Sequence, residues 1–291
     1  MRISTCLAHA ALLISGIALT AHAATEHACS VASPAHRVAL VELYTSEGCD
    51  SCPPADNWLS QLNRKRHRDA VVPLAMHVDY WDNADWRDRF AQPAFTARQK
   101  YLSSKGGSHI VYTPAIYVGG QEMRGWSSST SFSERVEQLE TQPAPADIRI
   151  GAQTSPSGTV AFDARIDART PLPSDAFAYV AVYEDGLKSD VKGGENAGAT
   201  LHHDRVTRNW FGPVPIVGGH ARITGSYPAV ESAKQGVVAF VESASTGEVL
   251  QVAELPRCDD GAGAAGAAGS TGPAGGGSRG SAGAGDARPV R

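Results

Sequence analysis

Hydrophobic spacing changes character near residue 146. Upstream, apolar runs alternate with segments whose apolar positions recur every three to four residues, the pattern of strands alternating with helices. Val38 to Thr45, Val-Ala-Leu-Val-Glu-Leu-Tyr-Thr, is mostly β-formers and predicts a strand. Ala55 to Arg68 puts Trp58, Leu59 and Leu62 on one face and Arg and Lys opposite, predicting a helix. Val71 to Val78 predicts a second strand. Asp85 to Lys105 is mainly helical, with Phe90, Phe95 and Tyr101 as core candidates and a break at Pro93. Thr113 to Val118 is a strand entered through Pro114, Gly119-Gly120 a hairpin turn and Gln121 to Arg124 a return strand. Ser131 and Glu134, at capping-box spacing, open a helix to Glu140.

Downstream, short strands predominate: 147–153, 159–167, 176–184, 201–210, 220–225, 236–243 and 248–255, with Thr246-Gly247 as a hairpin tip. Such spacing predicts an all-β sandwich. The Pro/Ala segment Gln142-Pro143-Ala144-Pro145-Ala146 reads as a linker between a unit over 37–142 and one over 147–256.

The ends differ from this body. Arg2, the apolar stretch Ala10 to Thr20 and Ala21-His22-Ala23 have the layout of a secretory signal peptide over 1–23, followed by an N-terminal segment over 24–36. The apolar stretch is shorter than the roughly 20 residues a membrane span needs. The expectation is an exported protein, periplasmic or secreted, with no membrane span. Residues 259–291 are Gly, Ala and Ser with little apolar bulk, which predicts a disordered tail. The formal net charge of −4 gives no electrostatic footprint for nucleic acid. The basic cluster Arg64-Lys65-Arg66-His67-Arg68 reads as a solvated helix C-terminus.

Export changes the cysteine arithmetic. Cys6 leaves with the signal, so Cys29, Cys49, Cys52 and Cys258 remain, an even number. Four cysteines allow three connectivities, of which Cys49–Cys52 with Cys29–Cys258 is the simplest. The second bond would tie the mature N-terminus to the end of the folded region.

Cys49-Asp50-Ser51-Cys52 lies between a predicted strand and a predicted helix. A thiol at that junction meets the positive end of the helix, which favours the thiolate needed for thiol–disulfide exchange. Cys49 is then the exposed attacking sulfur and Cys52 the buried resolving one. Asp50 either raises the thiol pKa or caps the helix. If the first two strands are parallel, their C-terminal ends share an edge, bringing His77-Val78-Asp79-Tyr80-Trp81-Asp82 near Cys49. His77 and Asp79 are candidates for proton transfer or for tuning the thiol; the plainer alternative is that they hydrogen-bond a loop. Thr113-Pro114 is the third candidate element, expected as a cis bond beside the disulfide that presents backbone to a partner strand. His202-His203-Asp204 invites a metal reading, but neighbours on a strand point to opposite faces.

The segments Tyr44 to Asp56, His77 to Asp82 and Tyr112-Thr113-Pro114, with Gly194-Glu195-Asn196-Ala197-Gly198 and Leu201 to Arg208, resemble exported proteins catalogued as domain of unknown function 1223. The resemblance runs from about Arg37 to Leu255. It implies an α/β thioredoxin-like domain, followed here by the all-β sandwich-like domain, and no known reaction.

Three functions follow from these residues. The first is thiol–disulfide exchange with protein thiols or disulfides, using Cys49, Cys52, Thr113, Pro114, His77 and Asp79 and no cofactor. The second is handling of copper or another soft metal by Cys49, Cys52 and His77. The third is a non-enzymatic binding protein in which the disulfide is structural.

Overall fold

In the computed structural model, residues 27–230 and 234–258 are described. The signal peptide read over 1–23 and the tail over 259–291 lie outside them.

Fourteen strands and three helices follow one another among the described residues. In the first half come β1 (His27–Ala32), β2 (Ala39–Thr45), α1 (Pro53–Lys65), β3 (Val71–His77), α2 (Pro93–Lys105), β4 (Ala115–Val118), β5 (Gln121–Glu122) and α3 (Ser129–Glu140). Then come β6 (Ala146–Thr154), β7 (Thr159–Ala168), β8 (Ala176–Asp185), β9 (Leu187–Asp190), β10 (Thr200–His203), β11 (Val206–Pro215), β12 (His220–Pro228), β13 (Lys234–Ser243) and β14 (Val249–Pro256). Pro93 starts α2 at the position where its missing N–H is harmless. Ser128, not Ser131, caps α3, its side chain accepting from the Ser131 N–H.

Pairing of β2 with β3 is parallel, in register from Ala39↔Val71 to Thr45↔His77. The expected α/β thioredoxin-like domain is nevertheless not formed. Strand makes up 45% of the described residues and helix 17%. The β2–α1–β3 unit is built into an eight-stranded sheet of order β14-β13-β8-β11-β3-β2-β4-β5, drawn from both sides of the Pro/Ala segment. The reason lies at the outer edge of β3. Left alone, that edge would present unpaired N–H and C=O groups. Here β11 covers it in parallel at Val206↔Ala75, with the Ala75 N–H donating to the Arg205 carbonyl at 2.8 Å.

The sheet also curls. β14 returns over the start of β2, where the Val38 N–H donates to Gln251 Oε1 and Arg37 reaches the Val249 carbonyl and Glu248. Leu40, Tyr44, Leu74, Met76, Val238, Phe240 and Val252 fill the inner face together with Phe95 and Leu102 of α2. On the other face, α1 and α3 cover Ala39, Val41 and Leu43. A four-stranded sheet, β1-β6-β7-β12, packs against β8, β13 and β14 on that face. This last arrangement is the expected sandwich, with one of its layers supplied by the large sheet.

Both expected disulfides are present, Cys29–Cys258 and Cys49–Cys52. Cys29 sits on β1, opposite Ala152 of β6, and Cys258 follows β14, so the bond staples the small sheet to the large one. It closes 229 residues of chain. Cys29→Ser is expected to destabilise the protein by about 2–5 kcal/mol. Denaturant unfolding of the oxidised protein measures this; an unchanged midpoint would mean that the two sheets hold together without the staple.

Candidate functional site

The site begins where β2 and β3 end side by side. Thr45 pairs with His77, and the Val78 N–H donates to the Thr45 carbonyl. After Thr45 the chain turns sharply: the Gly48 N–H donates to Ser46 Oγ, and the Cys49 N–H to the Ser46 carbonyl. Cys52 is the N-cap of α1, with Pro53 and Pro54 following, and the Asp56 N–H donates back to the Cys52 carbonyl at 3.1 Å. Asp50 therefore does not cap the helix; its side chain is exposed. The two prolines remove two N–H groups that a helix start otherwise offers, leaving mainly the dipole to act on a sulfur there.

Cys49 and Cys52 are both 0% exposed. Cys49 is therefore not open to solvent, contrary to its expected exposure. The cover is the loop between β9 and β10, a two-stranded ribbon in the second half of the chain. Asn196 Nδ2 donates to the Glu47 and Cys49 carbonyls at 2.9 and 2.8 Å. Glu195 Oε2 accepts from the Asp50 N–H at 3.0 Å. Gly193 lies so close to Asp85 that a Cβ there would come within 2.3 Å of the Asp85 carbonyl oxygen, and Gly194 takes φ +70° against Gly48. Only glycine permits both contacts.

Behind the disulfide lies a buried polar cluster. Asp56, one turn after Cys52, and His77, Asp88, Glu47 and His203 are all buried. His77 Nδ1 is 2.6 Å from Asp88 Oδ2, which also accepts from the Glu47 N–H. The His203 ring lies edge-on to the His77 ring, 4.9 Å between centroids. His203 Nε2 stands 3.4 Å from Glu47 Oε1 and its Nδ1 4.0 Å from Asp56 Oδ2, near enough for charge attraction but outside hydrogen-bond geometry. Glu47 Oε1 and Oε2, His77 Nε2 and both His203 nitrogens have no hydrogen-bond partner among the described residues. Burial disfavours a charged His77, but Asp88 outweighs it and holds the imidazole above its ordinary pKa. Burial likewise raises Asp88, yet His77 more than reverses that and leaves it low. For Asp56, burial dominates and lifts the carboxyl above its usual range, only partly offset by His203 and His77.

The other expected residues sit around this centre. Thr113–Pro114 is cis. Thr113 Oγ1 accepts from Trp81 Nε1 at 2.8 Å, and Trp81 Cβ lies against Gly48, so Thr113 is one side chain away from the Cys49 turn. Asp79 turns elsewhere, accepting from Thr96 Oγ1 of α2 at 2.5 Å. The soft-metal set Cys49, Cys52 and His77 is not assembled, because the two sulfurs are bonded to each other. Among the described residues no group of three His, Cys, Asp or Glu side chains is arranged to hold an ion. Glu47, Asp56, Asp88, His203, Glu195 and Asn196 were not among the expected site residues. The available signals were the alternation that sends His203 inward while His202 faces out, and the Gly-Gly-Glu-Asn run.

Comparison with known proteins adds the family and the fold. A search of curated proteins gives no match. A structural-genomics crystal structure of a protein from Agrobacterium tumefaciens is similar, with 25% identity and a TM-score of 0.54, covering 75% of this chain and 94% of that one. HBP35 of Porphyromonas gingivalis shares the fold at 14% identity and a TM-score of 0.57, over 77% of this chain and 76% of that one. Residues 40–242 match a family model, and on that match the chain belongs to the family described as "Protein of unknown function (DUF1223)".

Proposed function

We propose that this protein is an exported thiol–disulfide exchange protein whose Cys49–Cys52 pair works from beneath the β9–β10 loop. The observation that carries this reading is the buried cluster behind the disulfide. Polar atoms without partners are expensive to bury, and clusters of ionisable groups at perturbed pKa are concentrated at functional sites. Two disulfides are also what an oxidising compartment permits, and no described helix is long and apolar enough to cross a membrane.

The chemistry balances as follows. With the loop displaced, a thiolate of a partner dithiol attacks Cys49 Sγ. The Cys49–Cys52 bond breaks and Cys52 leaves as a thiolate. Asp56, whose carboxyl burial lifts above its usual range, gives Cys52 a proton and recovers one from the partner's second thiol. The partner's second thiolate then attacks the sulfur bonded to Cys49, closing the partner disulfide and releasing Cys49. Two electrons pass from the partner dithiol to the Cys49–Cys52 pair, and the two thiol protons pass with them. The reverse sequence reduces a partner disulfide.

A second reading, a purely structural disulfide, is favoured by the complete burial of both sulfurs. Titration with graded dithiothreitol and alkylation, read by mass spectrometry, separates the two. Exchange predicts reduction of Cys49–Cys52 in the folded protein while Cys29–Cys258 stays closed, with Cys49 labelled first. Asp56→Asn should slow that reduction by roughly 100-fold or more near neutral pH, the lower end of the usual contribution of a positioned proton donor. Asp56→Glu should restore it. Reduction only on global unfolding would favour the structural reading.

A further inference from the structure

A second polar region lies at the other end of α1, about 20 Å from the cysteines at 1.5 Å per helical residue. Here a cavity of about 350 Å³ opens between the end of α1, the end of β8 and the starts of β11 and β13. Its wall includes Arg64, Arg66, Arg68, Arg205 and Lys234, against the two carboxylates Asp185 and Glu254. Arg64 also lies 3.6 Å from Asp204, outside the wall. With Asp204 counted, five cations still face three anions, in a chain whose net charge is −4.

Two of these cations are deeply buried. The Arg66 and Arg205 side chains are 2% and 1% exposed and share Glu254, at 2.6 and 2.8 Å. Arg205 Nε donates to the Pro73 carbonyl and Nη1 to Glu254, while Nη2 has no partner among the described residues. One face of that guanidinium stacks on Tyr183, 3.4 Å from the ring centroid, and its unpartnered Nη2 is buried from solvent. Burial, then the neighbouring Arg205 charge, lowers the Arg66 pKa, whereas for Arg205 burial is outweighed by Glu254, Tyr183 and Asp185, which raise its pKa.

We propose that this cavity binds a small phosphate-bearing anion between Arg64, Arg68 and Lys234 at its mouth, with the buried charges of Arg205 and Arg66 behind it, Arg66 being held by Asn63, Val71 and Glu254. The exposed Arg64 and Arg68 guanidiniums can present paired N–H groups at the spacing of phosphate oxygens, which an ammonium cannot match. The volume is at the small end of ligand clefts, suited to a diphosphate rather than a macromolecule. Both carboxylates are already engaged, Glu254 by the Arg66 and Arg205 guanidiniums and Tyr183, Asp185 by the Arg205 backbone N–H and Asn63 Nδ2.

The site does not depend on the redox reading, and its test is kept separate. Calorimetric titration of the full chain with sodium pyrophosphate, at fixed ionic strength, should show saturable one-to-one binding. Citrate, of comparable charge but without phosphate geometry, should bind more weakly. The double variant Arg64→Gln/Arg68→Gln changes two exposed mouth residues and should keep the parent melting temperature. It should weaken pyrophosphate by about 2–30-fold, the range for two exposed charge pairs. Lys234→Gln should weaken it by a smaller factor. Prior reduction of Cys49–Cys52 should leave binding unchanged. No saturable heat, equal binding of citrate, or no loss in the double variant would overturn the proposal.

Discussion

Arg205→Met should destabilise the folded protein by about 3–5 kcal/mol, the usual effect of removing one partner from a buried ion pair. Arg205 sits where the two halves of the large sheet join. Its carbonyl accepts from Ala75 of β3, its guanidinium reaches Pro73 of β3 and Glu254 of β14, and its own N–H donates to Asp185 of β8. Methionine keeps much of the stem and loses the charge, so Glu254 is left with Arg66, Tyr183 and, at 4.0 Å, the half-exposed Arg68. At roughly 2–4 °C per kcal/mol for a domain of this size, the melting temperature should fall by about 6–20 °C. The pH dependence should change with it. Burial raises the Glu254 pKa, but Arg205 and Arg66 more than reverse this and bring it to about 2 from 4.5. A lowered carboxylate pKa contributes stability that is complete above the unfolded value and is lost as pH falls toward the folded one. Glu254 therefore contributes about 3 kcal/mol at neutral pH, lost between about 4.5 and 2. In Arg205→Met that acid slope should flatten. Melting curves from pH 7 down to 2 test this; an unchanged melting temperature at neutral pH would mean that β3 and β11 stay joined without this side chain.

That same junction explains what sequence could and could not convey. Local pattern was sufficient for the parallel β2–α1–β3 unit, because a buried strand, a helix start and a second buried strand each carry their own signal. It was sufficient for most strands of the second half as well. Pattern could not say that β3 takes β11 as its other neighbour, since that pairing rests on one residue pair 131 positions apart, Val206 with Ala75. The strand read over 201–210 is in fact β10 and β11, divided where Arg205 adopts φ +63°, a conformation with no sequence signature in arginine. The fold-class expectation failed at that point: a unit that looks self-contained along the chain is one end of a larger sheet.

The candidate site shows the same division. Cys49, Cys52 and His77 were legible because their chemistry lies in short segments beside recognisable elements. Glu47, Asp56 and Asp88 look like ordinary surface carboxylates in the sequence, and only packing under the ribbon buries them. His203 comes from the second half, inward on a short strand. Asp79, on the expected face by alternation, is drawn to Thr96 because the strand has already ended at His77.

Loosening the β9–β10 loop should make Cys49–Cys52 easier to reduce without touching either sulfur. Asn196→Ala removes two hydrogen bonds, to the Glu47 and Cys49 carbonyls. At about 1 kcal/mol net for the weaker case and about 2 for both, the open population should rise roughly 5–30-fold. Gly193→Ala acts by a different route, since a methyl there collides with the Asp85 carbonyl and pushes the loop away. If opening is fast relative to attack, the rate of reduction follows the open population. Both variants should then be reduced by dithiothreitol about 5–30-fold faster than the parent, with Cys29–Cys258 still closed. The buried cluster should remain in place, because His203 is held by the paired part of the ribbon, His203↔Leu187, and not by the loop tip. Stopped-flow alkylation after brief reduction gives the rates. If both variants were reduced at the parental rate, the loop would not be what limits access to the disulfide. The gating role would then pass to some other contact, or reduction would proceed through wider unfolding of the β2–α1 turn.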